Sequence, residues 1–124
     1  MTQIILLMLA LQLNVTEPQM MRTTCYTWTG NRTASGVYPE YGMCASNYEH
    51  MGDIAVVYDL DMNLIDTFVV TDVGGAPSLK NGTSIDIYQN SLSECYEWVA
   101  TYGDYLYIRW IDGDSLNEER GNND

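Results

Sequence analysis

From Arg22 to Ile111 the chain is a succession of short apolar, aromatic and β-branched runs broken by glycine and asparagine, which is the punctuation of an all-β domain. Arg22–Trp28 is the first candidate strand and Met43–Ser46 a short second one. Asp53–Leu60 and Leu64–Thr71 are apolar on both faces, as in a closed barrel, and flank Asp61-Met62-Asn63, whose turn chemistry predicts a hairpin. Ser84–Tyr88 is a further strand-like run, and Gly103–Ile111 closes the set with apolar and polar positions in alternation. Ser91 to Gly103 carries the helical period: Leu92, Cys95, Tyr96 and Val99 recur at helical intervals, Ser91 and Glu94 have capping-box spacing, and Gly103 suits a left-handed stop. Gly30–Pro39 is rich in turn formers and reads as loop. The pattern predicts a mainly β fold of about six short strands with one short helix, arranged as a small, partly orthogonal barrel.

At 124 residues the chain has room for one core and not two. Three zones follow: an apolar N-terminal segment over 1–21, the barrel domain over 22–111, and an acidic, polar tail over 112–124 in which Asp112, Asp114, Glu118, Glu119 and Asp124 face a single Arg120. Ile4–Leu11 is an unbroken run of eight apolar residues, too short to span a bilayer, so membrane association is not expected. It resembles a signal-peptide core, yet Thr2 and Gln3 supply no basic flank and no small-x-small cleavage site precedes Arg22. A vestigial or uncleaved export signal and a packed accessory strand or helix both stay open.

Lys and Arg total 5 against 17 Asp and Glu, a net charge of −12, and this removes the phosphate neutralisation on which nucleic-acid binding depends. Cys25, Cys44 and Cys95 fit no metal-ligand spacing; their odd number allows at most one internal disulfide, and they read as small apolar core residues. His50 has no Cys or His at ligand spacing and lies in Tyr48–Gly52, a loop by composition, so it reads as a solvated surface histidine. No Gly-rich phosphate loop is present. Neither metal nor cofactor is expected, and the oligomeric state is not legible.

The chemistry rests on two aspartates. Strands disfavour Asp, and Asp86 sits inside Ser84–Tyr88, sharing its face with Ser84 and Tyr88 while Ile85 and Ile87 point the other way. By the period of two, Asp72 shares a face with Val70 and Phe68 and leaves the end of an apolar strand beside Gly74 and Gly75, where a bulky ligand can approach the backbone. A carboxyl group in Asp86's position is partly desolvated, and a second carboxylate nearby opposes its ionisation further. Its pKa therefore rises, which makes a general acid at neutral pH. The plainer alternative has Asp72 capping the turn at Val73–Gly75 and Asp86 pairing with Lys80. With the Thr33-Ala34-Ser35-Gly36 loop in the same small domain, the two aspartates define a candidate site.

Thr24-Cys25-Tyr26-Thr27, Thr33–Pro39, Gly42–Ala45, Asp72–Gly75 and Lys80-Asn81-Gly82 with Ile85–Tyr88 together resemble the three-aspartate domain. That domain occurs in membrane-bound lytic transglycosylase A and in the stationary-phase survival and resuscitation-type muralytic proteins of Gram-positive bacteria. The resemblance covers residues 22–111 and implies a six-stranded double-psi β-barrel with a saccharide groove. It implies cleavage of the bond between N-acetylmuramic acid and N-acetylglucosamine without water, leaving a 1,6-anhydro end on peptidoglycan glycan strands, with a cell-wall or extracellular location reached by export or phage delivery. One acidic residue protonates the glycosidic oxygen and then takes the proton from the sugar's own C6 hydroxyl, where ordinary glycosidases need two carboxylates. The resemblance assigns that role to Asp86, with Asp72 tuning it and binding sugar, and sets Tyr26, Thr33, Ser35, Gly36 and Lys80 on the groove beside Gly74 and Gly75. The family's first aspartate is matched by Ser46-Asn47; Asn47 can hydrogen-bond a sugar but carries no charge. Val73 also stands where the family commonly has Thr.

Two other readings compete. Phe68–Gly75 looks superficially like half of an aspartic protease, which would need a dimer to pair two aspartates and leaves Thr33–Gly36 and Asp86 unexplained. A non-catalytic glycan-binding or virion-associated module draws on the 10 tyrosines and 3 tryptophans, whose rings can stack on sugars.

Overall fold

A computed structural model describes residues 15–114. Six strands, β1 (Gln19–Tyr26), β2 (Met43–Ser46), β3 (Ile54–Tyr58), β4 (Leu64–Val73), β5 (Ser84–Tyr88) and β6 (Tyr105–Ile111), close into a barrel in the order β1-β5-β2-β4-β3-β6. Among the described residues, the helices α1 (Pro77–Lys80) and α2 (Leu92–Tyr102) and a 3-10 turn at Tyr48–His50 accompany the strands. The mainly β barrel with one helix of ordinary length is thus the architecture that the hydrophobic pattern predicts.

The connections cross. β1 and β2 are consecutive and antiparallel, yet β5 lies between them, parallel to β1 and antiparallel to β2. β4 and β5 repeat this with β2 between them. These are two interlocked psi loops, and their consequence for the site is direct: β1, β5, β2 and β4 lie side by side, so residues far apart in sequence share one outer face.

Inside the barrel, Met21, Cys44, Val57, Phe68, Ile85 and Ile108 are among the residues that form the core. Apart from the smaller Cys44, each such side chain contributes about 1.5–3 kcal/mol on burial. Cys44 and Cys95 are buried, Cys25 packs against the core, and all three thiols are free, which fits their reading as apolar filling. β3 is apolar on both faces for a physical reason: Ala55 and Val57 face the interior, while Val56 and Tyr58 join Ile111, with Val15 and Leu64 packed on them, in a second cluster. The hairpin turn forms as its residues predict, with the Asp59 carboxylate accepting the N–H groups of Asp61 and Asn63 at 2.9 and 2.8 Å.

Local capping signals at α2 hold: the Ser91 hydroxyl accepts the Glu94 N–H at 3.2 Å, and Gly103 follows at φ 80°. Its buried edge differs from the expected one. Cys95 and Trp98 turn inward, with Trp98 edge-on to Phe68 at 5.9 Å, and Leu92, Tyr96 and Val99 are exposed. Burying the indole removes more apolar area from water than burying the leucine, so Trp98 sets the orientation. Two further departures lie near the site. α1, which the hydrophobic pattern does not predict, is started by Pro77 in its first turn and is too short to show a period. His50 is not a solvated loop residue: its ring stacks on Trp110 at 3.8 Å, and Nδ1 lies 3.0 Å from Asp53 Oδ2.

The run Ile4–Leu11 and the acidic tail beyond Asp114 lie outside the described residues. Among the described residues no helix is long and apolar enough to cross a membrane.

Candidate functional site

Register assembles the site. Thr24 on β1 pairs with Asp86 on β5, Asp86 pairs with Ala45 on β2, and Ala45 pairs with Asp72 on β4. These four residues form one row across four strands, with Asp86 and Asp72 two strand spacings apart, roughly 10 Å between their backbones. Ile85, Ile87 and Cys44 belong to the core, so the alternation of the strands turns Asp86 and Ala45 to the outer face. Ala45 is nonetheless only 5% exposed, which means that neighbouring groups close over its small side chain.

Asp72 reaches this row through an irregularity that no period reveals. Cys44 pairs with Val70 and the next residue, Ala45, with Asp72, so Thr71 is the extra residue of a β-bulge. The bulge reverses the alternation and moves Asp72 away from the face of Phe68 and Val70, where the period of two puts it. There its Oδ1 accepts the N–H groups of Ala34 at 3.0 Å and Val73 at 2.9 Å. The second bond is the turn-capping contact of the plainer reading; the first anchors the Thr33–Gly36 loop from across the fold. Ser35 adds its N–H to the Thr71 carbonyl at 3.0 Å.

Asp86 is partly buried, and its Oδ1 accepts the Thr24 hydroxyl at 2.8 Å. Burial raises its pKa above the ordinary carboxylate range, while the Thr24 hydrogen bond, which favours the ionised form, pulls the other way. Asp86 does not pair with Lys80: the ion pair found among the described residues joins His50 to Asp53. Tyr26 stands two residues beyond Thr24, edge-on to Tyr88 at 5.4 Å. Burial, then the negative charges of Asp72 and Asp86, hold its phenol well above its ordinary pKa, and its buried hydroxyl has no hydrogen-bond partner. Tyr26, Asp72 and Asp86 therefore share one electrostatic environment.

The remaining candidates divide into two groups. Thr33 is buried and its hydroxyl is occupied, donating to the Val37 carbonyl at 2.9 Å and sharing a contact with Ser35 Oγ at 3.0 Å; it holds the loop instead of offering a free group. Gly36, at φ 91°, lets that loop turn, and Ser35 is exposed. Asn47, Gly74, Gly75 and Lys80 line a cleft of about 610 Å³ together with Tyr48, Glu49 and Val73. Neither aspartate lines this cleft, although Val73 joins it directly to Asp72. Asn47 Oδ1 accepts the His50 N–H at 3.1 Å and so caps the 3-10 turn, and its amide nitrogen lies beside Gly82.

Thr24, Ala45, Tyr48 and Glu49 were not singled out from the sequence. Thr24 shares a strand face with Tyr26, but only the parallel pairing of β1 with β5 makes it the partner of Asp86. The arrangement sets a carboxyl of raised pKa at an outer surface, beside a polar loop and a cleft that Lys80 lines. No protein-family model matches this chain, and no curated protein matches it.

Proposed function

We propose that this protein is a peptidoglycan lytic transglycosylase of the three-aspartate type, acting at the cell wall after export or phage delivery. The partly buried Asp86, held by Thr24 and raised in pKa by burial, is the observation that carries this assignment. Protonated Asp86 donates to the glycosidic oxygen, and the bond to the muramic acid C1 breaks. The C6 hydroxyl of the same sugar then attacks C1, and the Asp86 carboxylate takes its proton, which returns the acid to its starting state. One carboxyl group serves both steps because the nucleophile belongs to the substrate. Asp72 fixes the Thr33–Gly36 loop beside the reacting sugar, Ser35, Asn47 and Lys80 supply polar contacts along the strand, and Tyr26, its hydroxyl buried, backs the two aspartates instead of reaching the sugar.

A second reading, a non-catalytic glycan-binding module, is favoured by the separation of the cleft from the two aspartates. One assay divides them. Purified peptidoglycan is incubated with the wild type and with Asp86→Asn, and 1,6-anhydro muropeptides are sought by mass spectrometry. Catalysis predicts product from the wild type alone; undiminished turnover by Asp86→Asn refutes the assignment of Asp86. Glycan binding without product from either protein selects the second reading.

A further inference from the structure

A protein of net charge −12 gains no long-range attraction to an anionic wall polymer, so recognition must come from short-range contacts. The loop beside Asp72 offers them. Of the three tryptophans, Trp98 and Trp110 are 7% and 5% exposed, whereas Trp28 is 55% exposed. Tyr38, 49% exposed, lies next to it with ring centroids 5.7 Å apart and planes inclined by 36°. Two large rings left in water side by side call for a function.

These rings are held in place. The Arg32 guanidinium covers Tyr38 at 4.3 Å from the ring centre and donates to the Gly36 carbonyl at 3.0 Å. Thr33 N–H and hydroxyl both donate to the Val37 carbonyl, at 2.7 and 2.9 Å, immediately before Tyr38. The same loop is tied to the site by Ala34 N–H on Asp72 and Ser35 N–H on the Thr71 carbonyl. At its other end, Trp28 follows Tyr26, the phenol that senses both aspartates, by two residues. The aromatic pair is thus carried on one stretch, residues 26–38, whose loop is tied to Asp72 and Thr71 on β4.

We propose that Trp28 and Tyr38 form a stacking platform for a pyranose ring of the glycan strand, lying outside the reacting bond and setting the strand's register over Asp86. This rests on reading the Asp86 site as a glycan site. The apolar C–H face of a pyranose is the complement of an exposed aromatic face, which Trp28 and Tyr38 present. Arg32 keeps donors beyond the one it spends on Gly36, and these suit the carbonyl of an acetamido group.

Trp28 is its own reporter, because the other two indoles are shielded from a quencher. The test titrates peptidoglycan glycan strands, freed of stem peptide by an amidase, into the full chain and follows acrylamide quenching of tryptophan fluorescence, with strand binding measured independently by ultrafiltration. The platform predicts that bound strands protect Trp28 in the wild type and in Asp86→Asn alike, and that Trp28→Ala or Tyr38→Ala weakens binding about tenfold with the thermal melt unchanged. Strands bound with Trp28 fully quenchable overturn the platform and leave the Asp86 reading standing. Protection without anhydro ends overturns catalysis and supports the platform. No binding at all overturns both.

Discussion

Asp86→Asn should stabilise the fold at the same time as it abolishes turnover. In the folded chain burial lifts the Asp86 pKa above its unfolded value, so the native state holds that proton more tightly. Stability contributed by this group is then fully present below the unfolded pKa and is lost as pH rises through the folded one. Below both values the wild type and the variant carry a neutral group of the same size. Above both, only the wild type carries a half-buried charge. The Thr24 hydroxyl at 2.8 Å returns part of the cost; a hydrogen bond to a charged group contributes about 1.5–3 kcal/mol, and the neutral amide oxygen keeps about 1 kcal/mol of that. Because the pKa moves upward in spite of this bond, the desolvation penalty exceeds it, and each pKa unit of excess amounts to about 1.4 kcal/mol. The variant should therefore melt higher than the wild type above both pKa values, by about 4–8 °C for each 1 kcal/mol of penalty relieved in a barrel of this size. Thermal melts by circular dichroism, at one pH well above the raised pKa and one below the unfolded value, measure it. A variant that melts lower than the wild type at the higher pH, or by the same margin at both, shows that Asp86 is not a penalised carboxylate, and the general-acid role then loses its basis.

Three further outcomes are expected. Thr24→Val removes the bond that favours the ionised carboxylate, so the alkaline limb of the kcat/KM profile should move to higher pH, and an unmoved limb would separate Thr24 from the titration of Asp86. Asp72→Ala strips the acceptor from Ala34 and Val73 and should cost about 1–3 kcal/mol in a denaturant melt. Asp72→Asn keeps Oδ1 and should stay within about 1 kcal/mol while turnover falls strongly; unaltered turnover would leave Asp72 a loop anchor alone. Gly74→Ala drives a Cβ into the buried Leu79 side chain and should destabilise by about 1–3 kcal/mol through displacement of that side chain, whereas Gly75→Ala meets nothing within 4 Å and should stay within about 0.5 kcal/mol, a contrast that paired melts read directly.

Asp86 stood out in the sequence because a carboxylate in the middle of a strand contradicts local propensity, and such a contradiction is visible without any knowledge of the fold. The turn around Asp59, the caps of α2 and the strands themselves were legible for a related reason. Each depends on residues within about four positions of one another, so periodicity and hydrogen-bonding chemistry specify them locally. In the sequence Asn47 reads as a missing carboxylate, whereas its capping of the 3-10 turn is not legible there, since the His50 N–H comes within its reach only once that turn forms.

What the amino-acid order determined by itself was the inventory: strands, one amphipathic helix, an ordered loop and two aspartates in unusual places. Tertiary structure alone decided which of them meet. β1 pairs with β5 across some sixty residues, as in Thr24 with Asp86, and β2 slips between β5 and β4, so the row Thr24–Asp86–Ala45–Asp72 comes from the crossing of two psi loops. The bulge at Thr71 decided the face of Asp72, and the competition of Trp98 with Leu92 for the barrel decided the face of α2. The physical reason is the same in each case. A period states which residues share a face, but the free energy that selects the face is released only when a distant surface arrives to be covered.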